Sequence, residues 1–107
     1  MNKDRGGDLR GKASGKPEIL RTDEIQTSDA TYKYSLAVSE SESVASYRLP
    51  LYSVAIEMTR ADGYHTEAWT GDLFADVGKA VVFYERMVEH LATPIGLPYI
   101  VEDEILK

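Results

Sequence analysis

From Thr31 onward the chain alternates. In TYKYSLAVS, residues 31–39, the apolar Tyr32, Tyr34, Leu36 and Val38 are interleaved with Thr31, Lys33, Ser35 and Ser39. A strand turns successive side chains to opposite faces, so a period of two gathers these four apolar groups on one side. A second run, LYSVAIEMTR at residues 51–60, does the same with Tyr52, Val54, Ile56 and Met58. Pro50 has no backbone donor and sets the expected start of that strand near residue 51. Two half-buried strands need a cover for their apolar face, and that need decides the rest of the fold.

The polar loop ESESVAS separates the runs and carries Glu40 and Glu42. After the second run, Asp62-Gly63 signals a hairpin, because glycine tolerates the positive φ of a primed two-residue turn. That loop pairs Ala61 with Tyr64, Met58 with Glu67 and Ile56 with Trp69. A three-residue loop would instead set Glu57 directly against Glu67, and like charges in register destabilise. The two-residue register is therefore expected, with Trp69 on the apolar face.

The cover lies in GDLFADVGKAVVFYERMVEHLAT. Val77, Val81, Tyr84, Val88 and Leu91 recur at helical spacing and form one stripe. Asp72 is the expected N-cap, and Asp76 adds negative charge near the positive end of the helix dipole. Gly78 is a poor helix former and signals a close approach. Pro94 disfavours helix at Thr93 and ends the element. LPYIVEDEILK reads as a short second helix opening on Pro98, held to the body by Ile100, Val101 and Ile105. The expected class is α+β, a three-stranded antiparallel sheet packed against one main helix plus a short C-terminal helix, in the order β-β-β-α-α. Its sheet face carries Tyr32, Leu36, Val54, Ile56 and Trp69.

Residues 1–28 hold six basic against five acidic residues and few apolar ones. Such a stretch buries too little surface to offset chain entropy, so a flexible tail is expected at 1–28 and one domain at 29–107. That domain carries six basic against thirteen acidic residues, and an acidic body repels phosphate backbones. The absence of cysteine excludes disulfides, thiolate zinc sites and thiol nucleophiles, and favours a reducing compartment. MNKDRGGDLRGK lacks the apolar core of a signal peptide, and a cytoplasmic protein is expected.

The segments LYSVAIEM, GDLFADVGKAVVFYERMVEHL and TPIGLPYIVEDEI resemble a small domain family of unknown function from clostridia and related Firmicutes. The resemblance covers residues 31–106. Its strand motif reads Tyr52-Ser53-Val54 here, its helix start Asp72-Leu73-Phe74, and its closing acids are Glu102-Asp103. Two departures stand out: Ser53 replaces a glycine, and Gly96-Leu97 replaces a His-Leu pair. The resemblance implies no activity. It implies a firmicute cytoplasm or a mobile element living there.

No catalytic motif emerges. His65 and Glu67 share a strand face, but a zinc site needs a third protein ligand, and His90 sits at the far end of the helix. The serines lack a nucleophile-elbow context, and Gly6-Gly7 follows no strand. No metal, cofactor or catalytic residue is therefore expected. What remains is surface: Glu40, Glu42, Glu57, Asp62 and Glu67, with Tyr47, Tyr64 and Tyr99 outside the core stripes. Aromatic side chains beside carboxylates make good protein contacts. The expected function is a non-enzymatic protein-binding module. Its sharpest form is a small acidic inhibitor of a basic nucleic-acid-handling enzyme, by analogy with the anti-CRISPR proteins of mobile elements. The alternatives are nucleic-acid contact through Lys3, Arg5, Arg10, Lys12, Lys16 and Arg21, or a structural homo-oligomer.

Overall fold

The protein is described by a computed structural model covering residues 17–42 and 48–106. Four strands pair antiparallel in chain order: β1 (Glu18–Gln26), β2 (Ala30–Glu42), β3 (Arg48–Arg60) and β4 (His65–Trp69). Helices α1 (Val77–Glu89) and α2 (Leu97–Ile105) follow. The class is α+β, with four strands where alternation alone predicts three.

The extra strand is β1, which lies inside the segment whose composition reads as a tail. It pairs with β2 from Glu18↔Val38 to Gln26↔Thr31, with a bulge between Ile19 and Arg21. Charge does not bar an edge strand, because side chains at the rim of a sheet can reach polar partners. The Tyr84 hydroxyl donates to Asp23 Oδ2 at 2.7 Å, and Arg21 Nη1 donates to Glu85 Oε2 at 3.0 Å. Ile25 adds an apolar contact to the core. Residues 1–16 of the expected tail lie outside the described residues.

β2 and β3 pair in register along their whole length, from Ala30↔Arg60 to Glu42↔Arg48. β3 thus begins before Pro50. The proline is tolerated because β4 pairs with β3 only from Ala55 to Thr59 and the Phe74 bridge reaches only Tyr52, so no described strand pairs with Pro50 on that side.

The core forms where the alternating faces meet α1. Tyr34, Leu36, Val54 and Ile56 from the sheet pack with Ala80, Phe83, Tyr84 and Met87 from the helix, together with Phe74, Ala92 and Leu97. The buried helical face differs from the valine stripe. Val77 is exposed, and Val81 and Val88 only flank the core. Both stripes have helical spacing; the one containing Phe83 and Met87 buries the larger side chains.

The helix also starts later than Asp72. Phe74 bridges to Tyr52, whose N–H donates to the Phe74 carbonyl at 2.7 Å, and this holds residues 72–75 out of the helix. Asp76 is the N-cap, accepting from Gly78 N at 2.7 Å. Asp72 instead accepts from the Ser39 hydroxyl at 3.2 Å. A Cβ at Gly78 would lie 3.3 Å from the Asp76 carboxylate, so the capping group itself makes the close approach. At the other end, the Ala92 and Leu91 N–H groups return to Met87 and Val88 carbonyls. Leu91 takes the left-handed position of that cap, with φ 52°. The buried Tyr34 hydroxyl donates to the Ala92 carbonyl at 2.8 Å and fixes the turn. α2 is held by buried Leu97, by Ile100 and Val101 against the core, and by Arg86 Nη2 donating to Glu104 Oε1 at 3.0 Å. Ile105, expected to pack, is 64% exposed.

The β3–β4 hairpin departs most from expectation. Ala55↔Trp69, Glu57↔Glu67 and Thr59↔His65 are the paired residues, so Glu57 does stand against Glu67. The loop is Ala61-Asp62-Gly63: Arg60 N donates to the Tyr64 carbonyl at 2.7 Å, and Gly63 N to the Arg60 carbonyl at 2.9 Å. Gly63 has φ 96°, as a three-residue hairpin requires of its last loop position. Asp62 accepts from Tyr64 N and from Arg60 Nη2, each at 3.0 Å. These turn bonds, with the Ala61 N–H donating to the Asp29 carbonyl at 3.0 Å, outweigh a surface like-charge contact that costs about 0.2–1 kcal/mol.

Candidate functional site

The register decides what the sheet shows to solvent. One face carries the alternating apolar groups and is covered by the helices. The other carries Lys33, Ser35 and Ala37 from β2, Ser53, Ala55, Glu57 and Thr59 from β3, and His65, Glu67 and Trp69 from β4; Ala37 and Ser53 are themselves buried, so the exposed part is the end toward the β3–β4 turn. α1 and the core it closes lie on the first face, and Trp69, His65 and Glu67 on the second are exposed. Small side chains make its middle flat. Trp69 stands at its β4 edge opposite Ala55 and is 61% exposed, whereas the two-residue register would have buried it.

The residues expected to form a contact surface separate into groups. Glu57 and Glu67 come together on the open face. Asp62 and Tyr64 lie at the adjoining turn, and both are engaged by Arg60, which also sits 5.4 Å over the Tyr64 ring. The Tyr64 N–H, then the Arg60 guanidinium, hold the Asp62 carboxylate below its usual range. Glu40 is opposite Pro50, seven residues along β2 from Lys33, which faces Glu57. At about 3.3 Å per residue that is roughly 23 Å away, and the odd spacing puts Glu40 on the other face. Tyr99 belongs to α2 in the helix layer and is exposed. Tyr47 and the side chain of Glu42 lie outside the described residues. Sequence reasoning put Trp69 on the wrong face, because its side depends on the hairpin register; it put Lys33 on the right one by alternation but did not pair it with Glu57.

Four side chains on β3 and β4 form a square: Thr59 opposite His65, and Glu57 opposite Glu67. Thr59 Oγ1 lies 2.9 Å from His65 Nδ1, and His65 Nε2 lies 4.0 Å from Glu67 Oε1. One donor atom from each of Glu57, His65 and Glu67 falls within 4.8 Å of the other two. The third potential donor that the sequence did not reveal is thus Glu57. The Thr–His–Glu connectivity resembles a hydrolytic relay, yet it sits on a flat exposed surface. β3 is paired on both sides at Thr59, so its neighbouring backbone N–H groups serve the ladder and supply no oxyanion hole.

A protein-family model matches residues 17–107. The chain belongs to DUF6514, a family of unknown function. The span matched by DUF6514 starts one residue before β1, earlier than the resemblance at residues 31–106, and takes in all four strands. No curated protein and no solved structure matches the chain. No described helix is long and apolar enough to cross a membrane.

Proposed function

We propose that this DUF6514 protein acts by binding a protein partner through the open face of its sheet, without catalysis of its own. The observation that carries the reading is Trp69, 61% exposed on the face opposite the helices, beside Glu57 and Glu67. A large apolar side chain held in water is favourable to bury, and aromatic groups contribute binding energy at little entropic cost. The flanking carboxylates and the net charge of −6 favour a partner with a basic surface. Stoichiometric inhibition of a basic nucleic-acid-handling enzyme, from a firmicute cell or its mobile elements, is the sharpest form of this reading.

The test is a photo-crosslinking side chain placed at Trp69, and separately at Tyr99 on the helix layer, in a low-salt lysate containing EDTA. A discrete basic protein captured from position 69 and not from 99, and released as salt rises, is the expected result. Equal capture from both positions, or capture insensitive to salt, overturns it.

A further inference from the structure

We infer that Glu57, His65 and Glu67 form a divalent transition-metal site of the zinc class on the β3–β4 hairpin. This is a mixed imidazole–carboxylate set, and its chemistry selects the ion. One nitrogen and two oxygen donors suit zinc and its neighbours better than magnesium or calcium, which take oxygen ligands alone. Three protein ligands with the remaining position open is the pattern of a zinc site accessible to water or to a further ligand.

The placement follows from the strand ladder. Glu57 and Glu67 are direct cross-strand partners, and His65 precedes Glu67 by two residues, so all three side chains leave the same face of the hairpin. The donor atoms lie within 4.8 Å of one another, with His65 Nε2 and Glu67 Oε1 4.0 Å apart. Tetrahedral bonds of about 2.1 Å set donors roughly 3.4 Å apart. The required closure is short: the exposed His65 and Glu67 and the half-buried Glu57 can make it by rotation about their own bonds.

A residue that is not a ligand orients the imidazole. Thr59 Oγ1 is 2.9 Å from Nδ1. When Nδ1–H donates to that hydroxyl, the Nε2 lone pair is left free on the side facing Glu67. Metal-bound histidines are held through their second nitrogen in this way. Thr59 is therefore a positioning residue. A bound cation would also neutralise the Glu57–Glu67 contact that the three-residue turn imposes. The site does not depend on the partner reading, since it uses one protein and one ion.

The chain contains a single tryptophan, and its place on β4 supplies the readout. Trp69 is two residues beyond Glu67 on the same face, so Co2+ held at the site should quench its emission. The experiment titrates Co2+ into the purified full chain after EDTA treatment and dialysis, with Zn2+ as competitor and isothermal titration of Zn2+ alongside. A saturable quench at one equivalent, reversed by Zn2+, is expected. His65→Ala and Glu57→Gln should each weaken it about tenfold or more, while His90→Ala leaves it unchanged. Thr59→Val should weaken it and Thr59→Ser retain it. Far-UV circular dichroism checks that each variant folds, and Glu67→Gln serves if Glu57→Gln does not. Binding weaker than millimolar, or a quench indifferent to both His65→Ala and Glu57→Gln, overturns the site. Neither result decides the crosslinking test, which is run in EDTA.

Discussion

Replacing Tyr34 by Phe removes one oxygen atom from the best-buried place in the protein. The ring is fully buried on β2, and its hydroxyl donates to the Ala92 carbonyl at 2.8 Å. Phe fills nearly the same volume, so no cavity term enters. What is lost is a buried neutral hydrogen bond, about 1 kcal/mol net, and the Ala92 carbonyl is left unpaired at a cost of about 1 kcal/mol more. The expected destabilisation is about 2 kcal/mol. In a domain of this size each kcal/mol moves Tm by about 4–8 °C, so Tm should fall by about 8–16 °C. Urea and thermal unfolding followed by circular dichroism measure both quantities, with Tyr99→Phe as the control, since that side chain is 72% exposed. The m-value should hold, because the buried surface is unchanged. A loss below about 0.5 kcal/mol would refute the reasoning. It would mean that water reaches the Ala92 carbonyl, and that β2 does not fix the turn after α1.

Stability should also fall at alkaline pH. Burial, with Tyr32 nearby, pushes the Tyr34 hydroxyl up to about 12 from an ordinary 10.0, and burial beside Asp23 raises Tyr84 as well. A raised value means the folded state keeps its proton when the unfolded chain has lost it. The contribution is therefore complete below pH 10 and lost as pH climbs toward about 12; urea midpoints across that range should fall less steeply in Tyr34→Phe. Gly63→Ala should cost about 1–2 kcal/mol by chemical denaturation, because the residue sits at φ 96° where a Cβ is strained. Asp76→Ala removes the cap on Gly78 N and should cost about 1 kcal/mol by the same assay. A fraying first turn should then appear as faster amide exchange at residues 77–80 of α1.

The strands β2 and β3 were legible because alternation there is uninterrupted, and their faces are those the residues predict. β1 was not, because its side chains on the helix side include Arg21 and Asp23, whose partners Glu85 and Tyr84 lie more than sixty residues away. The hairpin register was open to two readings, and both the Glu57–Glu67 repulsion and an apolar place for Trp69 favoured the two-residue loop. Backbone bonds closed by Gly63 act on the same scale and are more numerous. That one-residue difference moves Trp69 from the core side to the open face and brings Glu57 to His65. Two members of the candidate site, His65 and Glu67, were legible as sharing a strand face, and the third, Glu57, was hidden by the same register. In α1, valines and larger side chains both follow helical spacing, and periodicity does not weigh size; Phe83 and Met87 decide which way the helix rolls.

Among the described residues β1 and β4 are the rims of the sheet, and a rim is a template for adding strands from other copies of the chain. The bulge between Ile19 and Arg21 breaks the ladder on β1, the longer of the two rims. Beyond it the rim presents Arg21, Asp23 and Glu24, whose desolvation an incoming strand would have to bear. The other rim, β4, offers five residues, too few for a stable graft, and Glu67 meets any acidic copy of itself with like charge. The charged residues that conceal β1 in the sequence thus also make its rim a costly place for a further strand to add.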